Sequence, residues 1–172
     1  MKRLYLMRHA KSSWKDETLK DYERPLNKRG KRDAPFMGEV LKKKGVSPDV
    51  IISSFAKRAY KTAKKVAKEL GVEKERIIKD RKLYLIGFAE FLDYVKNLDD
   101  GYESVLIVGH NPGISELFSY LSGKESLSMP TAAVGGVEFK SDRWRDIDES
   151  KRKVLFFEYP KKFTERQKEK NF

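Results

Sequence analysis

A three-layer α/β/α sandwich around a mixed, largely parallel sheet is the fold this sequence predicts. Three observations carry that reading. Short apolar runs are bounded by turn residues, segments between them repeat their apolar residues at helical spacing, and the two kinds alternate along the chain. At 172 residues, 39% of them apolar, the chain has the length of one ordinary domain with a core to bury. No internal repeat or linker interrupts it. One domain is expected over residues 1–160, followed by a charged tail at 161–172.

Residues 3–8 (Arg-Leu-Tyr-Leu-Met-Arg) read as a short buried strand. Residues 9–27 hold Ser, Asp, Pro and Asn with little periodicity, which predicts a long loop; loops of that length are usually functional or mobile. Asn27 is placed to cap a helix running to about Lys44, with Phe36, Val40 and Leu41 on one face and Gly45 just past its end. Pro48-Asp49 then introduces an apolar strand, Val50 to Ser54. The spacing of Ala59, Ala63, Val66, Ala67 and Leu70 predicts a helix from Ala56 to Leu70, stopped by Gly71. Arg76 to Lys79 is a third, short strand. Ala89 to Leu98 is a helix turning Leu92, Val95 and Leu98 inward. Ser104 to Val108 is a strand, 109–113 a turn, and Ile114 to Leu121 a short helix ended by Gly123. Val134 to Phe139 and Val154 to Glu158 are late strands, expected as antiparallel edges, joined by the polar stretch Ser141 to Lys153. The tail from Lys161 reads as a frayed or appended helix.

Composition narrows the chemistry. There is no cysteine, so a thiol nucleophile, a disulfide framework and a thiolate metal site are all excluded. Histidine occurs twice, as His9 and His110, too few for a three-histidine metal site. No metal and no cofactor are expected. No apolar run approaches the roughly 18–20 residues that span a bilayer. The opening basic pair, Lys2-Arg3, precedes only four apolar residues, short of a ~7–15-residue signal core. A cytoplasmic location and no membrane partner are the expectation. The net charge of +12 fits either an anionic partner or a solvated lysine-rich surface, and the scatter of the charges favours the second slightly.

In an open α/β sheet, ligands gather beyond the carboxyl ends of the strands. Arg8-His9 closes the first predicted strand. Gly109-His110-Asn111-Pro112 closes the strand at 104–108. Arg58 stands in the first turn of the helix that follows Val50–Ser54. Each has an ordinary explanation alone: a structural arginine, a loop histidine, a solvated helix charge. Yet a cation at a helix N-terminus opposes the macrodipole unless an anion is held there. The turn at 109–113 has the shape that exposes backbone amides. One shared phosphate accounts for Arg8, His9, Arg58 and His110 together.

These residues also carry a resemblance. Leu6-Met7-Arg8-His9-Ala10 resembles the Arg-His-Gly signature of the histidine phosphatase superfamily, and Val108-Gly109-His110-Asn111-Pro112 its second histidine motif. Ser53-Ser54-Phe55-Ala56-Lys57-Arg58-Ala59-Tyr60-Lys61-Thr62-Ala63 resembles the Ser-Pro-x-x-Arg-Ala-x-x-Thr-Ala segment between them. Arg24-Pro25-Leu26-Asn27-Lys28-Arg29-Gly30 is similar to its Pro-Leu-x-x-x-Gly element. Order and spacing agree over residues 3–139, and are most similar to the compact SixA-like phosphohistidine phosphatase branch. The resemblance implies that His9 is the nucleophile, forming a covalent phosphohistidine, and that Arg8, Arg58 and His110 bind the phosphoryl oxygens. Phosphoryl transfer asks mainly for positioning and positive charge, so the residue types suit the chemistry independently.

Three departures stand out. Ala10 replaces a glycine and Phe55 a proline. The third concerns the general acid: position 11 is Lys where mutase relatives carry Glu, and Asn111 stands where acid phosphatases carry Asp. Glu90, near a helix start, is the one carboxylate put forward for that role, against the plainer reading of a helix N-terminal Glu. A phosphoramidate substrate relieves the difficulty, because its leaving nitrogen can already carry a proton. The expected partner is therefore a phosphorylated protein, phosphohistidine above all, or a small phosphorylated substrate. A small-molecule phosphomonoesterase and a non-catalytic phosphate- or nucleic-acid-binding module are the alternatives. Nucleic acid is disfavoured because no recognition motif for it is evident.

Overall fold

Strand β1 (Lys2–Arg8) is buried along most of its length, the mark of a strand covered on both faces. Its side chains alternate as the period-2 geometry requires. Leu4 and Leu6 enter one apolar cluster, Tyr5 and Met7 another, on the opposite face. The same division splits β2 (Val50–Ser54) and β4 (Ser104–Gly109): Val50, Ile52, Val105 and Ile107 face one way, Ile51, Leu106 and Val108 the other. The structure, a computed structural model, describes residues 1–163. Helices α1 (Lys28–Lys43) and α2 (Lys57–Leu70) cover the second cluster; α3 (Phe88–Lys96) and α4 (Gly113–Ser122) cover the first. Three layers result.

With β3 (Ile77–Asp80), β5 (Val134–Phe139) and β6 (Arg152–Glu158), six strands form one sheet in the order β3-β2-β4-β1-β5-β6. Strands β1 to β4 are parallel. The late strands depart from expectation. β5 runs against β1 but lies between β1 and β6, so it is an interior strand. β6 is the edge, and because it opposes β5 it points the same way as β1. Five of the six strands thus share a direction, and their carboxyl ends meet at one rim.

Local chemistry accounts for the boundaries. The Asn27 side chain accepts a bond from the Gly30 amide and caps α1. Gly71 and Gly123 end α2 and α4 in the left-handed conformation, at φ 70° and 75°. Helix α3 begins at Phe88 rather than Ala89 and turns Phe91 and Val95 fully inward. Leu92 and Leu98, two of its three expected core positions, are only half-buried. The polar stretch 141–153 is also more than a connection. Trp144 within it is fully buried, its indole N–H donating to the Tyr102 carbonyl at 2.9 Å. The expected tail helix falls largely on residues 164–172, outside the described residues. Among the described residues no helix is long and apolar enough to cross a membrane.

Candidate active site

Arg8 is the last residue of β1, and His9 follows it directly. The backbone there is tied on both sides: the His9 amide donates to the Gly109 carbonyl at 3.1 Å, and the Ala132 amide reaches the carbonyls of Arg8 and His9. Beyond His9, the Ala10 amide donates to Thr62 Oγ1 at 3.0 Å, and that hydroxyl donates to the Arg58 carbonyl at 2.8 Å. Thr62 therefore locks the histidine-bearing turn to the helix that carries Arg58. The loop 9–27 is closed at its base by the Ser12–Leu26 bridge and by Asn27 N–H donating to Lys11 O. Helix α1 starts so close to that loop that a Cβ on Gly30 would collide with the Lys11 carbonyl, which explains a glycine there.

Four of the five residues singled out from the sequence converge. Arg8, His9, Arg58 and His110 line one cleft of about 220 Å³. The two imidazole rings lie 5.2 Å apart between centroids. Arg58 sits between them, its Nε 3.4 Å from His9 Nε2 and its Nη2 3.4 Å from His110 Nδ1. His9 Nδ1 is 2.7 Å from the Ala10 carbonyl, which can only accept. That bond places the proton on Nδ1 and leaves the Nε2 lone pair toward Arg58. His110 Nε2 lies 2.8 Å from Ser54 Oγ. Arg8 donates from Nη1 to the Met129 carbonyl at 3.0 Å, while its Nε is buried with no hydrogen-bond partner.

The fifth residue, Glu90, is elsewhere. It sits exposed in the first turn of α3 and lines a separate groove with Lys82, Asp93 and Tyr94. As a general acid for this cleft it is ruled out by position; the short α3 presents Phe91, not Glu90, toward the strand end, with Phe91 in reach of Gly109. No carboxylate lines the cleft among the described residues; Arg8, Lys11, Arg24 and Arg58 supply four cations.

Arg24 and Asp21 are the functional-looking residues that the sequence reading did not single out. Arg24 is 7% exposed, donates to Ser12 Oγ at 2.9 Å, and lays its guanidinium 3.4 Å from the centroid of the Trp14 ring. Asp21 stands behind the cleft and fastens both arginines, receiving Arg24 Nε at 3.2 Å and Arg58 Nη2 at 2.9 Å. Its backbone carbonyl takes Arg58 Nη1 at 2.7 Å, and the Tyr84 hydroxyl donates to its carboxylate Oδ2. Burial pushes the Asp21 carboxyl up, but the bonds from Tyr84 and Arg58 prevail and hold it at about 2. At neutral pH it is a carboxylate and has no proton to give. The sequence held one signal for these two: their spacing within a loop too long for a mere connection, next to the Pro-Leu element.

Electrostatics set the histidines' state. Burial drives His9 down to about 3, helped by the nearby charges of His110, Arg58 and Arg8 and opposed by the Ala10 bond. Burial, then Arg58, takes His110 to about 3 as well. Both imidazoles are neutral near pH 7. Unfolded, they titrate near 6.5. Between 6.5 and 3 the unfolded chain binds protons that the folded one does not, so stability present above 6.5 drains away as pH falls. Asp21 adds its own loss only below about 3.8. The Tm should therefore fall steadily from pH 6.5 toward pH 4, and a His9→Gln/His110→Gln double variant should show a flatter curve. A flat native profile over that window would contradict neutral burial.

Comparisons with known proteins bear on the family and the fold. The sequence profile of the histidine phosphatase superfamily (branch 1) matches residues 4–84. An uncharacterized chloroplastic protein of Arabidopsis thaliana is 30% identical over 153 residues, covering 84% of this chain and 70% of its own. In fold, the SixA protein of Agrobacterium tumefaciens superposes with a TM-score of 0.79 at 22% identity, over 92% of this chain and 98% of that one. The protein histidine phosphatase SixA complexed with tungstate gives 0.78, also at 22% identity, over 94% and 99%. The chain belongs to the histidine phosphatase superfamily.

Proposed function

We propose that the protein is a metal-independent phosphatase in which His9 Nε2 attacks the phosphorus of a phosphoramidate, foremost phosphohistidine on a protein. One observation carries the reading. A neutral, buried imidazole presents its Nε2 lone pair among guanidinium groups, one of which, Arg8, holds a buried N–H with no partner. Such an N–H is costly to leave unsatisfied and suits an oxyanion of the bound phosphoryl group. A fold neighbour holding tungstate, a tetrahedral oxyanion, supports the same reading.

In the first step the Nε2–P bond forms as the P–N bond to the substrate breaks, its electron pair staying on the leaving nitrogen, and the substrate imidazole departs neutral because its other ring nitrogen already carries a proton. His9 becomes a phosphohistidine whose Nδ1–H still rests on the Ala10 carbonyl. In the second step water attacks phosphorus, the Nε2–P bond breaks, and inorganic phosphate leaves with His9 neutral again. Arg8, Arg24, Arg58 and His110 surround the charge that spreads over the equatorial oxygens. That no carboxylate among the described residues lines the cleft favours nitrogen over alkoxide leaving groups, since an alkoxide needs a proton in transit.

The test is a comparison of kcat/KM for a phosphohistidine peptide, an aryl phosphate and an alkyl phosphate, with and without exhaustive chelation. The phosphohistidine peptide should lead, the alkyl ester should trail by roughly 10²-fold or more, and chelation should change nothing. Equal turnover of the alkyl ester would point to a phosphomonoesterase with Lys11 as its proton donor. Loss on chelation, rescued by a divalent ion, would refute the mechanism.

A further inference from the structure

Beside the cleft lies a second groove, of about 390 Å³, in which Lys57, Lys61 and Lys79 meet Tyr22, Phe55 and Tyr60, with one carboxylate, Glu23, against these three ammonium groups. Four basic side chains in and around the groove stand over the rings. Lys79 Nζ stands 4.2 Å and Lys64 Nζ 5.7 Å from the Tyr60 centroid; Arg81 is 4.7 Å from Phe55, and Lys20 5.9 Å from Tyr22. None of these six cations has a carboxylate within ion-pair distance among the described residues, although nine ion pairs form elsewhere. Lys57 stands at the first position of α2, where no acidic residue accompanies it and its charge opposes the helix dipole. Folding alone gains little from such an arrangement; an anionic partner turns it to use.

The groove and the cleft share no lining residue, but a short series of packed rings links them. Phe55, in place of the proline of the resembled motif, packs 5.2 Å from Tyr22 and 5.1 Å from Tyr84, and Tyr84 packs 5.5 Å from His110. A segment docked in the groove would therefore lie within a few side chains of the phosphoryl site. Single-stranded nucleic acid is the weaker occupant, because base stacking needs free ring faces and here cations stand over them. What the surface presents is an excess of positive charge, three lysines against the one carboxylate of Glu23, with Lys79 held over a ring.

We propose that this groove docks an acidic segment of the phosphorylated protein on which the cleft acts, an inference that rests on the reading of the site as a protein phosphatase. Two phosphohistidine peptides test it, identical except that aspartates flank the histidine in one and asparagines in the other. The native protein should favour the acidic peptide by roughly tenfold in kcat/KM, chiefly through association and with a preference that shrinks at high salt. A Lys57→Gln/Lys61→Gln/Lys79→Gln variant should lose that preference while hydrolysing small inorganic phosphoramidate as before. The Glu counterparts at the same positions should invert it. Binding of the unphosphorylated acidic peptide, followed by fluorescence anisotropy, reads docking without turnover and should weaken in parallel. If the native protein binds both peptides alike, if the Gln variant keeps its preference, or if oligothymidylate displaces the acidic peptide and binds more tightly, the proposal falls. Failure to hydrolyse even phosphoramidate, with peptide discrimination in binding intact, would instead overturn the phosphatase reading.

Discussion

Replacing His9 with alanine should cut turnover by about 10⁴-fold or more, the scale expected when the sole nucleophile is lost from an otherwise intact site. The reasoning is specific to the ring's placement. Nε2 is the nitrogen of His9 whose lone pair is left for attack, since Nδ1 is committed to the Ala10 carbonyl and Nε2 meets only the long 3.4 Å contact from Arg58 Nε. His110, the other imidazole, is engaged with Ser54 and Arg58. The variant should also fail to trap acid-labile phosphate after a rapid quench. Stability is a separate question, because His9 is only 7% exposed and its removal opens space in the floor of the cleft. The fold rests on the sheet and its two apolar clusters, so the far-UV spectrum should be unchanged even if Tm drops by several degrees. A variant that keeps native-like turnover would reassign His9 to phosphate binding and leave the nucleophile to be found among the remaining groups.

The sequence made the site more legible than its supports. Arg8, His9, Arg58 and His110 could be read because a parallel α/β sheet puts strand ends at one rim, so residues far apart in the chain are gathered by topology alone. The helix caps at Asn27, Gly71 and Gly123 were readable for a similar reason: their chemistry is local. Arg24 and Asp21 were not. They reach the site through the path of the loop 9–27, and nothing in local spacing tells that Asp21 turns toward Arg58 rather than toward one of many surface lysines. Trp144 was hidden by polar neighbours, since a single buried ring in a charged stretch leaves no periodic signal. Glu90 failed for the converse reason. A helix start near the site suggested proximity, but the direction of its side chain depended on how α3 rolls on the sheet, and Phe91 and Val95 decided that roll. The place of β5 inside the sheet was equally out of reach, because an antiparallel interior strand reads like an edge strand of the same length.

Arg58→Ala should lower kcat/KM by about 10²–10³-fold, the usual cost of losing one preorganised charge donor at a developing oxyanion. Arg58 is the residue on which the rest of the site closes. Two of its nitrogens are taken by Asp21, at 2.7 Å through the backbone carbonyl and 2.9 Å through the carboxylate, which fixes the plane of the guanidinium. That plane then sets Nε and Nη2 toward the two histidines. Lysine in its place should recover little, because a single ammonium cannot hold Asp21 in two places and still face both imidazoles. A second consequence separates this role from simple phosphate binding. Burial first, and with it the charge of Arg58, holds His9 and His110 near 3, so removing Arg58 should let both rise part of the way, His110 more than His9. Histidine titration by NMR would show the rise directly, and the acid limb of the pH–rate profile should move to higher pH in step, since a protonated His9 has no lone pair to offer. Asp21, relieved of its partner, should titrate above its present value of about 2. If turnover falls while both histidines titrate as in the native protein, Arg58 acts on the substrate alone. If the lysine variant restores native rates, the geometry fixed by Asp21 has no part in catalysis.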